Sequence, residues 1–264
     1  MTADLIAAAH GTADPRGIRE VRALVREMGR LRPEVPISLG FVDVAVPALP
    51  SLVRRVVADS NQAVVVPLLL SSGYHVAVDV AGEAARWPGR VEAAAALGPD
   101  PVLVEVLADR LGDLRRVDRV VLAAAGSSDR RALLDCSAMA AMLAAQVDRP
   151  VEVGYVSGAG ERLGPVLARS EDRVAVATYL LAPGFFADLV RRLAGDRFVS
   201  APLGADSRIA ALALNRYDQA RVQSRTLAGH PRRVWVAPSD SPRATHHLRG
   251  HPLGVSGVPS LGAP

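Results

Sequence analysis

The chain repeats itself, and the repeat governs everything that can be built from it. Leu5-Ile-Ala-Ala-Ala-His-Gly-Thr-Ala-Asp14 is answered by Val120-Val-Leu-Ala-Ala-Ala-Gly-Ser-Ser-Asp129. Val64-Val-Val-Pro-Leu-Leu-Leu-Ser-Ser-Gly-Tyr-His75 is answered by Ala175-Val-Ala-Thr-Tyr-Leu-Leu-Ala-Pro-Gly-Phe-Phe186. His10 aligns with Ala125 and His75 with Phe186, at displacements of 115 (10 to 125) and 111 (75 to 186), so one duplication accounts for both matches. The two histidines survive in one copy only. A duplicated scaffold with polar chemistry in one half points to an active half and a supporting half.

Each copy reads as four alternations of strand and helix. In the first, strands are expected at Leu5–Ala9, Ile37–Val42, Ala63–Leu70 and Val91–Ala96. Helices follow over Arg16–Leu31, where Ile18, Val21, Leu24 and Met28 recur at helical spacing, over Pro47–Ala58, from near His75, and over Pro101–Arg115. The second copy places strands at Val120–Ala124, Val151–Val156, Val174–Leu181 and Phe198–Ala201, and a last helix at Ser207–Gln219. Continuous apolar strands alternating with helices imply an α/β architecture, two four-stranded parallel sheets each flanked by helices. The expected units are 1–116 and 117–225, followed by a proline-rich, aperiodic segment 226–264 read as a disordered tail.

Composition narrows the function. Half of the 264 residues are hydrophobic, enough for two ordinary cores. The longest apolar runs, such as Ala63–Leu70, fall far short of the roughly 20 residues of a membrane helix. The opening Met-Thr-Ala-Asp has no basic stretch of a secretory signal, so a cytoplasmic protein without a membrane partner is expected. Cys136 is the single cysteine, which rules out an internal disulfide or a multi-cysteine metal centre. All 31 basic residues are arginine, yet the net charge is only +4 and aromatics make up 4%, so nucleic acid is not an expected partner. Arginine does suit polyanionic small molecules, because it binds carboxylates and phosphates bidentately.

In open parallel sheets, ligands bind beyond the carboxyl ends of the strands. His10 follows the first expected strand, Asp43 the second and His75 the third, so all three fall on one edge of one sheet. Two imidazoles and a carboxylate there suit a borderline divalent metal, or equally an acid–base pair with an orienting carboxylate. The matched positions in the second copy are Ala125, Ser157 and Phe186, which ligate metals poorly. Small residues flank the three: Gly11 and Thr12 after His10, and Ser71, Ser72 and Gly73 before Tyr74 and His75. They allow a ligand close to the backbone. Asp79, four residues past His75, suits either a first-turn helix carboxylate or an orienting partner for the imidazole.

Three stretches together resemble the sirohydrochlorin chelatases. They are Leu-Ile-Ala-Ala-Ala-His10-Gly-Thr-Ala-Asp14-Pro-Arg, Phe41-Val-Asp43-x-x-x-Pro47, and Val-Val-Val-Pro67-Leu-Leu-Leu-Ser-Ser-Gly73-Tyr-His75-Val-x-x-Asp79. The resemblance covers residues 3 to about 221, with motif order and spacing intact. It implies two tandem chelatase-like, flavodoxin-like domains, and an enzyme that inserts Fe2+ or Co2+ into sirohydrochlorin for sirohaem or cobalamin. Iron for sirohaem is the expected choice. The family's metal-handling histidines map onto His10 and His75, and its acidic residue, commonly Glu, onto Asp43, one methylene shorter. No permanently bound cofactor is implied; the divalent ion is a substrate. A single cleft between the halves would seat the macrocycle, with Gly11, Thr12, Ser71, Ser72, Gly73 and Tyr74 on one wall. Gly184, Phe185 and Phe186 would form the other, and a monomer is expected. An imidazole, titrating near about 6.5 when unperturbed, can hold an incoming ion or accept a pyrrole proton. Arg16 is a candidate partner for the substrate's carboxylates by its position alone.

Other readings are weaker. Gly158-x-Gly160-x-x-x-Gly164 follows a strand but has the wrong spacing for a dinucleotide loop. His246, His247 and His251 lie in the aperiodic segment, where no fixed geometry suggests a metal site. A non-catalytic tetrapyrrole or metal carrier is the alternative from another functional class. A metal-independent enzyme using His10 and His75 as acid and base is a third.

Overall fold

The alternation is realised twice in the computed structural model, which describes residues 3–59, 62–73, 75–169 and 173–228, with the backbone alone at 75–77 and 224–228. The first half runs β1 (Asp4–Ala9), α1 (Pro15–Leu31), β2 (Ile37–Phe41), α2 (Leu49–Ala58) and β3 (Ala63–Pro67). A π-helical turn (His75–Val80) leads into α3 (Ala81–Ala85), β4 (Val91–Ala93) and α4 (Pro101–Leu111). The second half follows with β5 (Arg119–Ala124), α5 (Arg130–Val147), β6 (Val151–Tyr155) and α6 (Leu163–Ala168). It closes with β7 (Val174–Tyr179), α7 (Phe185–Ala194), β8 (Phe198–Val199) and α8 (Ser207–Ala228). The sheets are ordered β2-β1-β3-β4 and β6-β5-β7-β8, and every pairing is parallel. Both expected four-stranded sheets are therefore present.

Side-chain alternation assigns the faces. On β1, Leu5, Ala7 and Ala9 join one apolar cluster while Ile6 and Ala8 join another with α2 residues Leu49, Leu52 and Val53. On β5, Val120, Leu122 and Ala124 enter the first cluster, and Val121 and Ala123 enter a third with α6 and α7. The inner faces of both sheets thus feed one shared core, and the outer faces are covered separately.

Helix starts follow from capping chemistry. Asp14, Asp100 and Asp129 each accept the backbone N–H two residues on, and proline opens α1 and α4. α1 buries Val21, Leu24 and Met28 along one stripe.

The last helix of each half covers the other half. α4 packs on α5 and β7, whereas α8 packs on α1, β3 and β4. The Tyr217 hydroxyl, wholly buried on α8, donates to the Ala3 carbonyl at 2.6 Å. Arg216 donates to the Ala96 and Leu97 carbonyls and pairs with Asp100 at 2.8 Å. α8 also continues to Ala228, past the expected end at Gln219 and into the first residues assigned to the tail; the rest of 226–264, with His246, His247 and His251, lies outside the described residues. No helix among the described residues is long and apolar enough to cross a membrane.

Candidate active site

Strand order puts a topological switch between β1 and β3: the chain leaves β1 for one side and returns from β2 to the other. Loops after such neighbouring strands diverge and open a crevice at their carboxyl ends. Here the loops are those carrying His10 and Leu70–Gly73, and the second half supplies the matching pair after β5 and β7. A cleft of about 880 Å³ lies between the four, at the upper end of small-molecule sites.

His10, Gly11, Thr12, Asp43, Ser71 and Gly73 line it from the first half, and Gly184, Phe185 and Phe186 from the second. Ser72 is not among the lining residues. Tyr74 lies outside the described residues. His75 opens the π-helical turn by its backbone, and its side chain is not described. Asp79 is half-buried within that turn. Among the described residues no three His, Cys, Asp or Glu side chains converge as a ready-made metal site.

The local geometry brings His10 and Asp43 together. The Asp43 amide donates to the His10 carbonyl at 2.9 Å. Gly11, with φ of +100°, lies so close that a Cβ there would stand 2.0 Å from the Asp43 carbonyl oxygen. Only glycine permits that approach. Asp43 Oδ1 accepts the Val44 N–H at 2.8 Å, which fixes the carboxylate at the cleft edge. Thr12 Oγ1 accepts the Asp14 amide at 3.0 Å, so this hydroxyl shapes the loop as well as lining the cleft.

Arg16 has a different task from the one expected. Its guanidinium pairs with Asp14 at 2.7 Å and, across the halves, with Asp188 of α7 at 2.5 Å. These ion pairs hold both carboxyls below their ordinary range, and the two carboxylates raise the Arg16 guanidinium. Already clamped to carboxylates, it is a brace between α1 and α7 rather than an open anion receptor. Its repeat counterpart, Arg131, pairs with its own Asp129 at 2.7 Å.

Several lining residues carried no signal in the chemistry of the first copy. Gly126, Ser127 and Ser128 follow β5, and the repeat alignment with Gly11–Ala13 marks the place. Cys136, Tyr155 and Tyr179 also line the cleft, and nothing in their spacing announces it. Burial pushes the Cys136 thiol up to about 12, and burial followed by the adjacent Cys136 pushes Tyr155 up to about 12 as well. Neither group ionises at neutral pH. The second half therefore gives the cleft a wall of small, apolar and un-ionised groups, while His10 and Asp43 place an imidazole and a carboxylate on the first.

The family model CbiX matches residues 4–114 and 119–220, one copy for each half. Sequence comparison finds no match among curated proteins. Among solved structures the fold is shared with SirB from Bacillus subtilis with Fe3+, at a TM-score of 0.71 and 21% identity over 86% of this chain and 98% of that one. The sirohydrochlorin chelatase SirB from Bacillus subtilis subspecies spizizenii, in complex with cobalt, gives 0.68 and 22% over 87% and 98%. CbiX, the terminal enzyme for biosynthesis of siroheme in denitrifying bacteria, gives 0.62 and 16% over 82% and 99%.

Proposed function

The chain belongs to the CbiX family, and from that premise we propose that it is a sirohydrochlorin chelatase, an enzyme that inserts a divalent metal ion into sirohydrochlorin. Iron for sirohaem is the favoured substrate ion and cobalt for cobalamin the other. The observation that carries the reading is the one-sided cleft: His10 and Asp43 on the first half face a wall of small and apolar groups on the second. A flat macrocycle needs such a wall on one face and a metal-handling group on the other.

His10 and His75 take the incoming ion, and an imidazole relieved of the ion accepts one of the two pyrrole N–H protons displaced as the metal enters. Asp43, anchored through the Val44 amide, balances charge beside the ion and passes protons to solvent. Gly11 and Gly73 let the ring edge approach the backbone, while Phe185 and Phe186 pack against its face. Water excluded by that packing strengthens the attraction between ion and ligands. The reaction so described needs no permanently bound cofactor, nucleic acid or membrane, and a cytoplasmic monomer can carry it out.

Anaerobic absorbance of sirohydrochlorin with Fe2+ or Co2+ tests this directly. Native protein should accelerate insertion, and His10→Ala and His75→Ala should each lose about a hundredfold or more of the rate. Ring binding without turnover would turn the protein into a carrier. A native rate equal to the uncatalysed one with both ions would end the chelatase reading.

A further inference from the structure

The halves meet through a quasi-symmetric arrangement in which the loop after the third strand of each unit lies on the first helix of the other. A Cβ on Gly73 would stand 3.5 Å from the Ala132 Cβ of α5, and one on Gly17 of α1 would stand 2.9 Å from the Pro183 carbonyl oxygen. By the repeat alignment Gly17 corresponds to Ala132, and Pro183 stands one position before Gly184, the counterpart of Gly73, so the two contacts are related. Their hydrogen bonds are not counterparts.

Two bonds from the second half hold the loop that leads into His75. The Tyr179 hydroxyl donates to the Leu70 carbonyl at 2.7 Å, and Asp135 Oδ2 accepts the Ser72 amide at 2.6 Å. At the reciprocal contact, the position of Tyr179 is held by Leu68 and that of Ser72 by Pro183. Leucine has no hydroxyl and proline no N–H, so neither bond can form there. The loop of the half that keeps the histidines thus has two bonds for which the other loop has no equivalent.

The local structure fits this support. Tyr179 is 2% exposed, and burial holds its phenol protonated, so it always donates. A Cβ on Gly98 would stand 2.4 Å from both the Leu70 carbonyl oxygen and the Tyr179 hydroxyl, which leaves the pair no room to part on that side. Beyond Gly73 the chain enters a π-helical turn rather than a regular α-helix. The Leu70–Gly73 loop leads into that turn, so what fixes the loop fixes where the backbone of the turn, opened by His75, begins.

We propose that Tyr179 and Asp135 are positioning residues: the second half fixes the Leu70–Gly73 loop through them, and so sets the place of His75 for metal capture. The proposal rests on the chelatase reading. It also gives the histidine-free half a task beyond forming a wall.

The test compares Asp135→Ala, Asp135→Asn, Tyr179→Phe and Glu20→Ala in the full chain, with kcat and the KM for each substrate measured separately. Glu20 is the control, because its carboxylate also accepts an amide across the halves, that of Ala205 at 2.7 Å, without touching the His75 loop. Asp135→Ala and Tyr179→Phe should raise the KM for the metal ion about tenfold, the worth of a hydrogen bond with a polar or charged partner. Asp135→Asn keeps an acceptor for Ser72 and should recover most of that loss. Glu20→Ala should lower thermal stability and leave the metal KM within about twofold. A metal KM that stays at the native value in Asp135→Ala and Tyr179→Phe overturns the proposal, and so does an equal rise in Glu20→Ala. Native protein that inserts no metal sinks the chelatase reading instead, and the proposal with it.

Discussion

Glycine appears at matched positions in both copies for a mechanical reason. Gly11 and Gly126 have φ of +100° and +92°, and a Cβ would stand 2.0 Å from the Asp43 carbonyl oxygen in one and 1.9 Å from that of Ser157 in the other. The glycine is thus a requirement of the scaffold, kept where the histidine beside it was not. Gly126→Ala and Gly11→Ala should each cost roughly 2 kcal/mol or more in stability, because the alanine meets both backbone strain and a carbonyl. Urea unfolding measures that cost, and metal insertion separates the two: Gly11→Ala should lose more activity, since it also displaces His10 from Asp43. Equal activity losses would mean that Gly11 matters only as scaffold. His10, Asp43 and Gly73 were legible in the sequence because each stands just past an apolar strand, where the parallel sheet dictates the edge. Arg16 was misread because its partner Asp188 is 172 positions away. Asp135 and Tyr179 were invisible for the same reason: their bonds run to the other copy, and residue types alone do not record such pairings.

Elements were found in the right order, with differences at their ends that have physical causes. β3 stops at Pro67 rather than Leu70, and β4 at Ala93 rather than Ala96. β4 is an edge strand paired only with Ala63–Val65 of β3; past that register its segment keeps single bonds to the β3 side, Ala94 N–H to Val65 and Leu97 N–H to Leu69, while β3 itself ends on Leu68 N–H to Ala8 of β1. The apolar run continues because the buried loops need it, so hydrophobicity overstates the ladder. The helix expected from His75 starts as a π-helical turn, whereas its counterpart α7 is regular from Phe185. Between elements, the α1–α7 brace gives a pH signature. Asp188 has its carboxyl lowered chiefly by its hydrogen bond to Arg16, so its contribution is present above the unfolded carboxylate value and is lost as pH falls through the folded one. Native protein should therefore melt above Asp188→Asn at pH 7, and the gap should begin to shrink as pH falls below about 4 and close only once pH has passed below the lowered folded value. The pair is partly exposed, so 1 M salt should narrow the gap as well. A gap that does not narrow at all as pH is lowered from about 5 to about 2 would show that Asp188 acts through something other than its charge.

At the scale of the whole molecule, two sheets do not make two independent bodies. Residues 1–229 form one compact unit, and the core between the sheets holds Leu5, Val66 and Leu107 of one half with Leu122, Leu143 and Ile209 of the other. Each half lends its final helix: α4 lies on β7 and α5, and α8 on α1, β3 and β4. A chain cut at the repeat boundary near residue 116 leaves the first fragment without the helix that covers its inner face, and the exposed strand surface is apolar. The second fragment keeps α8 but has nothing for Leu212, Leu214 and Tyr217 to bury against. Fragments 1–116 and 117–228 should therefore be unfolded or aggregated when expressed alone and should assemble when co-expressed, as exchanged elements allow. Cys136 offers the readout, since its thiol is buried in α5 and its pKa is pushed up to about 12. It should resist alkylation at pH 8 in the intact chain and in the reassembled pair, and react promptly in the isolated second fragment. In the intact chain, thiol exposure and loss of helix should share one denaturant midpoint. Separate midpoints, or a protected thiol in the lone second fragment, would mean that each repeat folds by itself and that the exchanged helices only decorate the interface. A single transition would mean that the cleft and the fold are lost together, because the loops that form the one are held by the contacts that make the other.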